Sequence, residues 1–395
     1  MQLVEATLPD SKSRRARGKW FETTQGVIYV VDGSVQFCDD FDHWKNAFCR
    51  LLEISDEKAR AFIEETARFA QEHFGQQLQR LSDDQKIACV AEATTRVLYG
   101  GARPSAKRIE PSWGTDLWGA PPDTVFAHSV SGHRERFVVG SKPRQFAWLI
   151  DADTGKPVRA DSIKYDDAYF GSGGNAHYGM KHYVAQSDWR LEKARRLVRT
   201  VLENSGARQQ HFLDHPKKTN VLDVGSGLGY FRKAFDELGY PHYGVDLSTY
   251  INRQCKEMFG FDAWDCDFAK LNEVVGGMKF DIITMWELIE HVEDAMAAVK
   301  QMTEFLEPGG ILVARTPNLN ALEFDILGDY YYSFKFEHVK YFSPQSYDYI
   351  MTAAGLQRIY VETSSHLFKG VLGPNYLYQA GQQLRGADIL AIYGH

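Results

Sequence analysis

The sequence predicts an α/β chain: a mostly parallel sheet with helices on both faces over residues 166–395, preceded by an α+β unit over 1–165. Two observations carry this reading. Short apolar runs at 221–224, 243–245, 280–285 and 311–314 are separated by stretches long enough for a crossover helix. Runs without polar alternation are the pattern of strands buried on both faces, and their alternation with helices predicts a parallel sheet. Upstream of about residue 165 the periodicity differs, with hairpin signals followed by helical spacing.

In chain order, residues 26–40 read as a hairpin, with strand-like 27–31 and 35–38 flanking the turn dipeptide Asp32-Gly33. Helical spacing occupies 41–98, and Ser55 and Ser82 stand where a hydroxyl accepts the first amide hydrogens of a helix. Residues 100–123, rich in Gly and Pro, predict an irregular segment pinned by Trp113 and Trp118. A second hairpin is expected over 146–159, where an apolar run leads into a turn-rich stretch with Gly155. Residues 187–203 form an amphipathic helix, with Leu191, Ala194, Val198 and Val201 on one face.

Length and composition bound the function classes. A chain of 395 residues exceeds one small core and predicts two domains. With 44% hydrophobic and 25% charged residues it has the balance of a globular protein, neither disordered nor fibrous. The formal net charge of -7 disfavours nucleic acid and anionic membranes as partners. The cluster Lys12, Arg14, Arg15, Arg17 and Lys19 reads as a solvated tail, and no apolar run of signal-peptide length follows it. No run approaches the roughly eighteen apolar residues of a spanning helix, so a soluble protein is expected. Five cysteines, Cys38, Cys49, Cys89, Cys255 and Cys266, are odd in number and include no Cys-x-x-Cys pair. Neither a disulfide framework nor a zinc knuckle is indicated, and the expected location is the cytoplasm.

The run VLDVGSGLG at 221–229 ends a strand and opens a helix whose Phe231, Ala234, Phe235 and Leu238 share a face. Asp223, Gly225, Ser226, Gly227 and Gly229 are its candidate ligand-binding residues. The glycines let the backbone turn sharply and approach a ligand, and the helix start offers amide hydrogens to a carboxylate. A dinucleotide fingerprint needs glycine at 230, where Tyr230 stands, so NAD is disfavoured. Asp246 closes the second strand, 21 residues after Gly225, where its carboxylate can accept both hydroxyls of an adenosine ribose, with Leu247 beside it.

With GVDLS at 244–248, DCDF at 265–268, FDIITMWELIEHV at 280–292, LEPGGILV at 306–313 and EHVKYFSP at 337–344, residues 219–362 resemble the class I S-adenosylmethionine-dependent methyltransferases. The likeness is to the branch related to ubiquinone-biosynthesis and sugar or polyketide methyltransferases. The resemblance implies a Rossmann-like, seven-stranded sheet and S-adenosylmethionine as cofactor. It also implies Asp246 on the ribose, Asp267 on the adenine amino group and the backbone of Phe268 at the adenine edge. Trp286, at the end of the fourth strand, either covers the cofactor or is a core aromatic. The first 160 or so residues match no family recognised from their sequence and are expected to build or cover the acceptor pocket.

A sulfonium methyl group is already activated, so the protein's tasks are alignment and, for an acidic hydroxyl, proton removal. His291, within Glu290-His291-Val292, is the candidate base, Glu290 its catalytic neighbour, and His338 a wall residue able to pair with it; the alternative for His291 is a structural bond at the helix start. No second ligand lies at a metal-site spacing from either histidine, so no metal is expected. Tyr330, Tyr331 and Tyr332 are either a stacking wall or packed aromatics. The segment 166–183, with Tyr169, Phe170, His177, Tyr178 and His182, either closes over the cofactor through its aromatics, Tyr178 among them, or is a rigid linker.

The leading function is methyl transfer to oxygen, nitrogen or carbon of a small molecule. An alternative is intramolecular displacement that releases methylthioadenosine and a small-ring amino acid, and another is a non-catalytic cofactor-binding subunit. The expected partner is a small-molecule substrate, with no nucleic acid and no membrane; a second copy of the chain is the further candidate.

Overall fold

The computed structural model describes residues 2–4, 19–23, 26–31, 34–35, 52, 54–102, 125–130, 133–141, 146–151, 164–170, 187–267, 270–335, 337–365 and 383–395. Strands β1 (Gln2–Val4), β2 (Lys19–Thr23), β3 (Gly26–Val31) and β4 (Ser34–Val35) form one antiparallel sheet in that order. The predicted first hairpin is present as the β3–β4 pairing, with Val30 opposite Val35, while its turn dipeptide and Cys38 lie outside the described residues.

Helices α1 (Asp56–Phe74) and α2 (Asp83–Ala93) begin at the predicted caps. The Ser55 hydroxyl accepts from the Lys58 amide at 3.2 Å, and Ser82 forms a reciprocal capping box with Gln85. Strands β5 (Val125–Val130), β6 (His133–Ser141) and β7 (Phe146–Asp151) form an antiparallel meander. The expected second hairpin thus has its first strand in β7, but β7 pairs backward with β6; residues 152–159, like Trp113 and Trp118, lie outside the described residues.

After α3 (Asp167–Phe170), α4 (Ser187–Glu203) and α5 (Gln209–Asp214) the chain enters its central sheet. In sequence follow β8 (Val221–Val224), α6 (Tyr230–Glu237), β9 (His242–Asp246), α7 (Thr249–Phe259), β10 (Trp264–Asp265), α8 (Leu271–Val275) and β11 (Phe280–Trp286). Then come α9 (Ala295–Phe305), β12 (Leu306–Pro317), α10 (Leu322–Leu327), β13 (Lys340–Phe342), α11 (Pro344–Ala353), β14 (Gln357–Ser364) and β15 (Asp388–Gly394). Seven of these strands form a sheet in the order β10-β9-β8-β11-β12-β15-β14. The first five are parallel and β15 runs antiparallel to both its neighbours, so the sheet is seven-stranded and mostly parallel as expected.

Successive residues of the central strands feed opposite cores. Ile283 and Leu312 pack with α9 and α11 through Val299 and Ile350, whereas Ile282 and Val313 pack with α4 and α6 through Val198 and Phe235. Both faces are therefore dry, which is why β8 and β11 are buried along their whole length and apolar except at Asp223, Asp281 and Thr284; full burial of each apolar side chain contributes about 1.5–3 kcal/mol. The strand order reverses between β8, whose successors lie to one side, and β11, whose successor lies to the other. In open sheets of this kind the crevice for ligands opens at the carboxyl ends of the strands flanking that switch.

A third core joins the N-terminal helices to the chain after β12. Phe62 of α1 and Val90 of α2 share it with Leu327, Tyr331, Phe334 and Tyr341, and β13 adds to the edge of β7. Tyr331 is fully buried with its hydroxyl on the carbonyls of Asn318 and Ala387, and the Tyr332 hydroxyl donates to Glu323 at 3.1 Å. The Tyr330–332 run is thus packed between elements, the second of its two readings. Among the described residues no helix is long and apolar enough to cross a membrane.

Candidate active site at the carboxyl edge of the sheet

A cavity of about 970 Å³ opens at the carboxyl ends of β8, β9, β11 and β12, at the upper end of the range for small-molecule sites. Its lining includes Gly225, Ser226, Gly227, Asp246, Leu247, Asp267, Trp286 and His291 from the sequence-predicted set. Asp223, Gly229, Glu290 and His338 stand behind that lining. Tyr178 and Phe268 lie outside the described residues.

The glycine-rich turn after β8 is built by its own backbone. Gly225, Gly227 and Gly229 have φ of 71°, 52° and 80°, in the left-handed region that glycine enters at little cost. A Cβ on Gly225 would come within 2.9 Å of Leu288, and one on Gly229 within 2.6 Å of the Cys255 sulfur. The amides of Gly225 and Ser226 both donate to the Val245 carbonyl, at 2.8 and 3.0 Å, and the Gly227 amide donates to Asp246 Oδ2 at 2.9 Å. The amides of residues 225–227 thus tie β8 to β9, and the donors expected for a carboxylate are those at the start of the following helix, Tyr230–Glu237.

Asp246 is the hub of that tie. Its Oδ1 accepts from the Ser248 amide at 2.9 Å and its Oδ2 from Gly227, leaving a further lone-pair direction on each oxygen. Desolvation raises its pKa above the usual carboxylate value, with the two amides opposing and Asp265 adding to the rise. Asp223 serves the scaffold: it is buried, accepts from Thr284 Oγ1 at 2.7 Å, and is pushed up to about 7 by desolvation. Trp286 lies flat on Phe231 of α6, ring centroids 3.9 Å apart, and is 7% exposed, so it is both a packed aromatic and part of the cavity wall.

His291 follows β11 on a short 3₁₀ turn and faces the cavity. Its Nδ1 lies 3.1 Å from the Glu337 carbonyl and 3.0 Å from the Tyr165 hydroxyl. A carbonyl only accepts, so Nδ1 carries the hydrogen and the lone pair is on Nε2. Burial pushes the His291 pKa down to about 4, with the Glu337 carbonyl opposing, so the ring is neutral above pH 5. The His338 ring sits edge-on to it, centroids 4.8 Å apart, and its Nδ1 is 3.0 Å from the Ser333 carbonyl. Glu290 is fully buried; its Oε2 accepts from Thr316 Oγ1 at 3.0 Å and desolvation pushes its pKa up to about 8. One ligand atom from each of Glu290, His291 and His338 lies within 4.8 Å of the others, an arrangement that could hold a metal ion. Chain spacing, which argued against a metal, does not show this group, because His338 arrives from beyond β12.

The cavity also contains groups the sequence did not mark. Arg315, 3% exposed at the end of β12, contacts the carboxylates of Glu287 and Asp388. Glu287 has φ of 53°, a strained conformation for a non-glycine residue, directly after β11. Arg190 and Lys193 reach the cavity from α4, and Tyr165 closes it beside His291. Only the strand end at 286–287 carried a sequence signal, the switch-point position itself.

Comparison with known proteins agrees with this geometry. Residues 189–361 match the family described as a methyltransferase domain. The chain is 33% identical over 109 residues to the ubiquinone biosynthesis O-methyltransferase of Coxiella burnetii, covering 26% of this chain and 46% of the relative. It is 31% identical over 121 residues to the enzyme of the same name from Actinobacillus pleuropneumoniae, covering 28% and 52%. The chain thus spans about half the length of these curated relatives. Among solved structures, a SAM-dependent methyltransferase from Archaeoglobus fulgidus aligns at 18% identity and TM-score 0.39, over 54% of this chain and 100% of that one. Magnesium protoporphyrin IX methyltransferase from Synechocystis aligns at 14% and 0.34, over 54% and 84%. Residues 189–361 are thus similar to a methyltransferase domain, over somewhat less than half of the chain.

Proposed function

We propose that the protein transfers a methyl group from S-adenosylmethionine to a hydroxyl of a small-molecule acceptor, with His291 receiving the acceptor's proton. The observation that carries this reading is the conjunction, in one cavity, of the glycine turn, the Asp246 carboxylate and a neutral imidazole whose Nδ1 is held by a carbonyl.

The residues present fit the cofactor. Gly225 and Gly227 line the cavity without a side chain, Asp246 keeps lone pairs for a ribose diol, and Asp267 lines the adenine end. Because the turn's own amides are committed, the positive charge for the methionine carboxylate comes from Arg190, which lines the cavity with Gly225 and Tyr230. Assignment of Tyr178 and Phe268 to the cofactor rests on sequence alone. When bound, the sulfonium supplies an activated methyl group. The chain's own contribution is alignment and dryness: Tyr165, Tyr169, Phe170 and Trp286 exclude water and line the approach, and His291 Nε2 accepts the proton as charge leaves the hydroxyl. A ring depressed to about 4 is a weak base in the empty cavity, and the developing oxyanion beside it favours its protonated form.

The names of the relatives favour an oxygen acceptor, and the net charge of -7 favours a small one over nucleic acid. Division into an accessory unit over 1–165 and a cofactor unit over 166–395 belongs to the same proposal. The test is incubation with S-adenosylmethionine, with and without a panel of phenols, and identification of the nucleoside by mass spectrometry. Acceptor-dependent S-adenosylhomocysteine is expected; acceptor-independent methylthioadenosine would replace this reading with intramolecular displacement.

A further inference from the structure

The cavity is lined by acidic and basic side chains together, and two of the basic ones come from a single helix. Arg190 and Lys193 are three residues apart on α4, hence on one face, and both line the cavity. Arg315 lines it from β12. In the strand order β9-β8-β11-β12, Asp246 and Arg315 are separated by three strand spacings, about 14 Å. A nucleoside gripped at β8 and β9, with its base toward Asp267, leaves the β11–β12 end for the acceptor.

The ions at that end are unequally matched. Arg315 has two carboxylates, Glu287 and Asp388. Lys193 has none within ion-pair distance among the described residues; its ammonium meets only the Trp189 ring, at 5.7 Å from the centroid. Yet Lys193 is half-buried, and lost hydration together with repulsion from Arg315, Arg190 and Arg196 lowers its pKa well below the usual lysine value, opposed by Asp388. Holding an ammonium there without an anion is unfavourable, and a ligand that brings one removes the penalty.

We propose that the acceptor carries an anionic group, a carboxylate or a phosphate, that docks on the Lys193 ammonium at the β12 end of the cavity, turning the reacting oxygen toward His291. This rests on the methyltransferase reading above and narrows its substrate class. Lys193 would be a specificity-determining residue that binds a part of the substrate remote from the methyl acceptor.

The test is calorimetric titration of the full chain, saturated with S-adenosylhomocysteine so that Arg190 is already engaged, using benzoate, phenyl phosphate and neutral benzamide as probes. At least one anion is expected to bind about tenfold or more tighter than benzamide, a preference of the size a single charge-assisted contact supplies. The preferred anion identifies the group as carboxylate or phosphate. Lys193→Gln should erase the preference and Lys193→Arg restore it, with S-adenosylhomocysteine uptake confirming that each variant is folded. Equal binding of all three probes, or a preference that survives in Lys193→Gln, overturns the proposal while leaving the methyltransferase reading intact. Failure of the native chain to take up S-adenosylhomocysteine would instead sink that reading and this one with it.

Discussion

Replacing Asp246 with asparagine tests the contact proposed for cofactor recognition. The carboxylate faces two backbone donors, Gly227 at Oδ2 and Ser248 at Oδ1, both at 2.9 Å. An asparagine amide accepts at only one of these, so whichever way it turns, one amide hydrogen loses its partner, at a cost of about 1–3 kcal/mol in stability. The same nitrogen cannot accept from a ribose hydroxyl, and loss of one hydrogen bond to a charged acceptor removes about 1.5–3 kcal/mol of binding. Affinity for S-adenosylhomocysteine should therefore fall roughly tenfold to a hundredfold. Titration of native and Asp246→Asn protein with this nucleoside and with its 2′-deoxy analogue separates the two effects. If the carboxylate touches the ribose, the substitution costs less when the hydroxyl is already missing. Unchanged affinity, or an identical loss for both nucleosides, would refute direct contact and reduce Asp246 to a brace for the glycine turn.

Other perturbations probe the acceptor side and the frame. His291→Asn should lower kcat by about 10²- to 10⁴-fold while leaving nucleoside affinity near native; because the native ring has its pKa near 4, kcat/KM should show no acidic limb from this group between pH 5.5 and 8. Glu290, with a folded pKa near 8 raised above its unfolded value, contributes stability that is complete at low pH and is lost as pH rises toward 8. Thermal unfolding should record a decline of at most about 1.4 kcal/mol per pH unit from this group, flattened in Glu290→Gln; an unchanged slope would show that the carboxyl is not buried neutral. Gly229→Ala adds left-handed strain of about 1–2 kcal/mol and a Cβ placed 2.6 Å from Cys255 Sγ, so Tm should fall by several degrees and recover in part when Cys255→Ala is added.

What could be read from the chain was what local physics determines. The strand at 221–224, the helix at 187–203 and the caps at Ser55 and Ser82 coincide with the structure, because continuous burial, helical periodicity and side-chain capping leave their mark within a few residues. The strand predicted at 311–314 begins five residues earlier: Leu306 pairs with Phe280, and an irregularity in register carries the ladder across Pro308, Gly309 and Gly310, which by themselves signal a turn. Contacts of long sequence separation were hidden. His291 meets Tyr165 from 126 residues away and Glu337 from 46, and Arg315 meets Asp388 from 73. The surroundings of Lys193 become visible only when α4, β12 and β15 are packed together, and the commitment of the turn's amides to Val245 and Asp246 only when β8 and β9 are paired.

The proposed function requires the edge formed by β8 and β9 to grip a sulfonium nucleoside with its reactive centre turned toward β11 and β12. A crystal structure of the protein with S-adenosylhomocysteine is the decisive test. Both ribose hydroxyls are expected within hydrogen-bond distance of Asp246, the methionine carboxylate at Arg190 and the sulfur facing the His291 side of the cavity. A nucleoside seated elsewhere, or a ribose out of reach of Asp246, would contradict it.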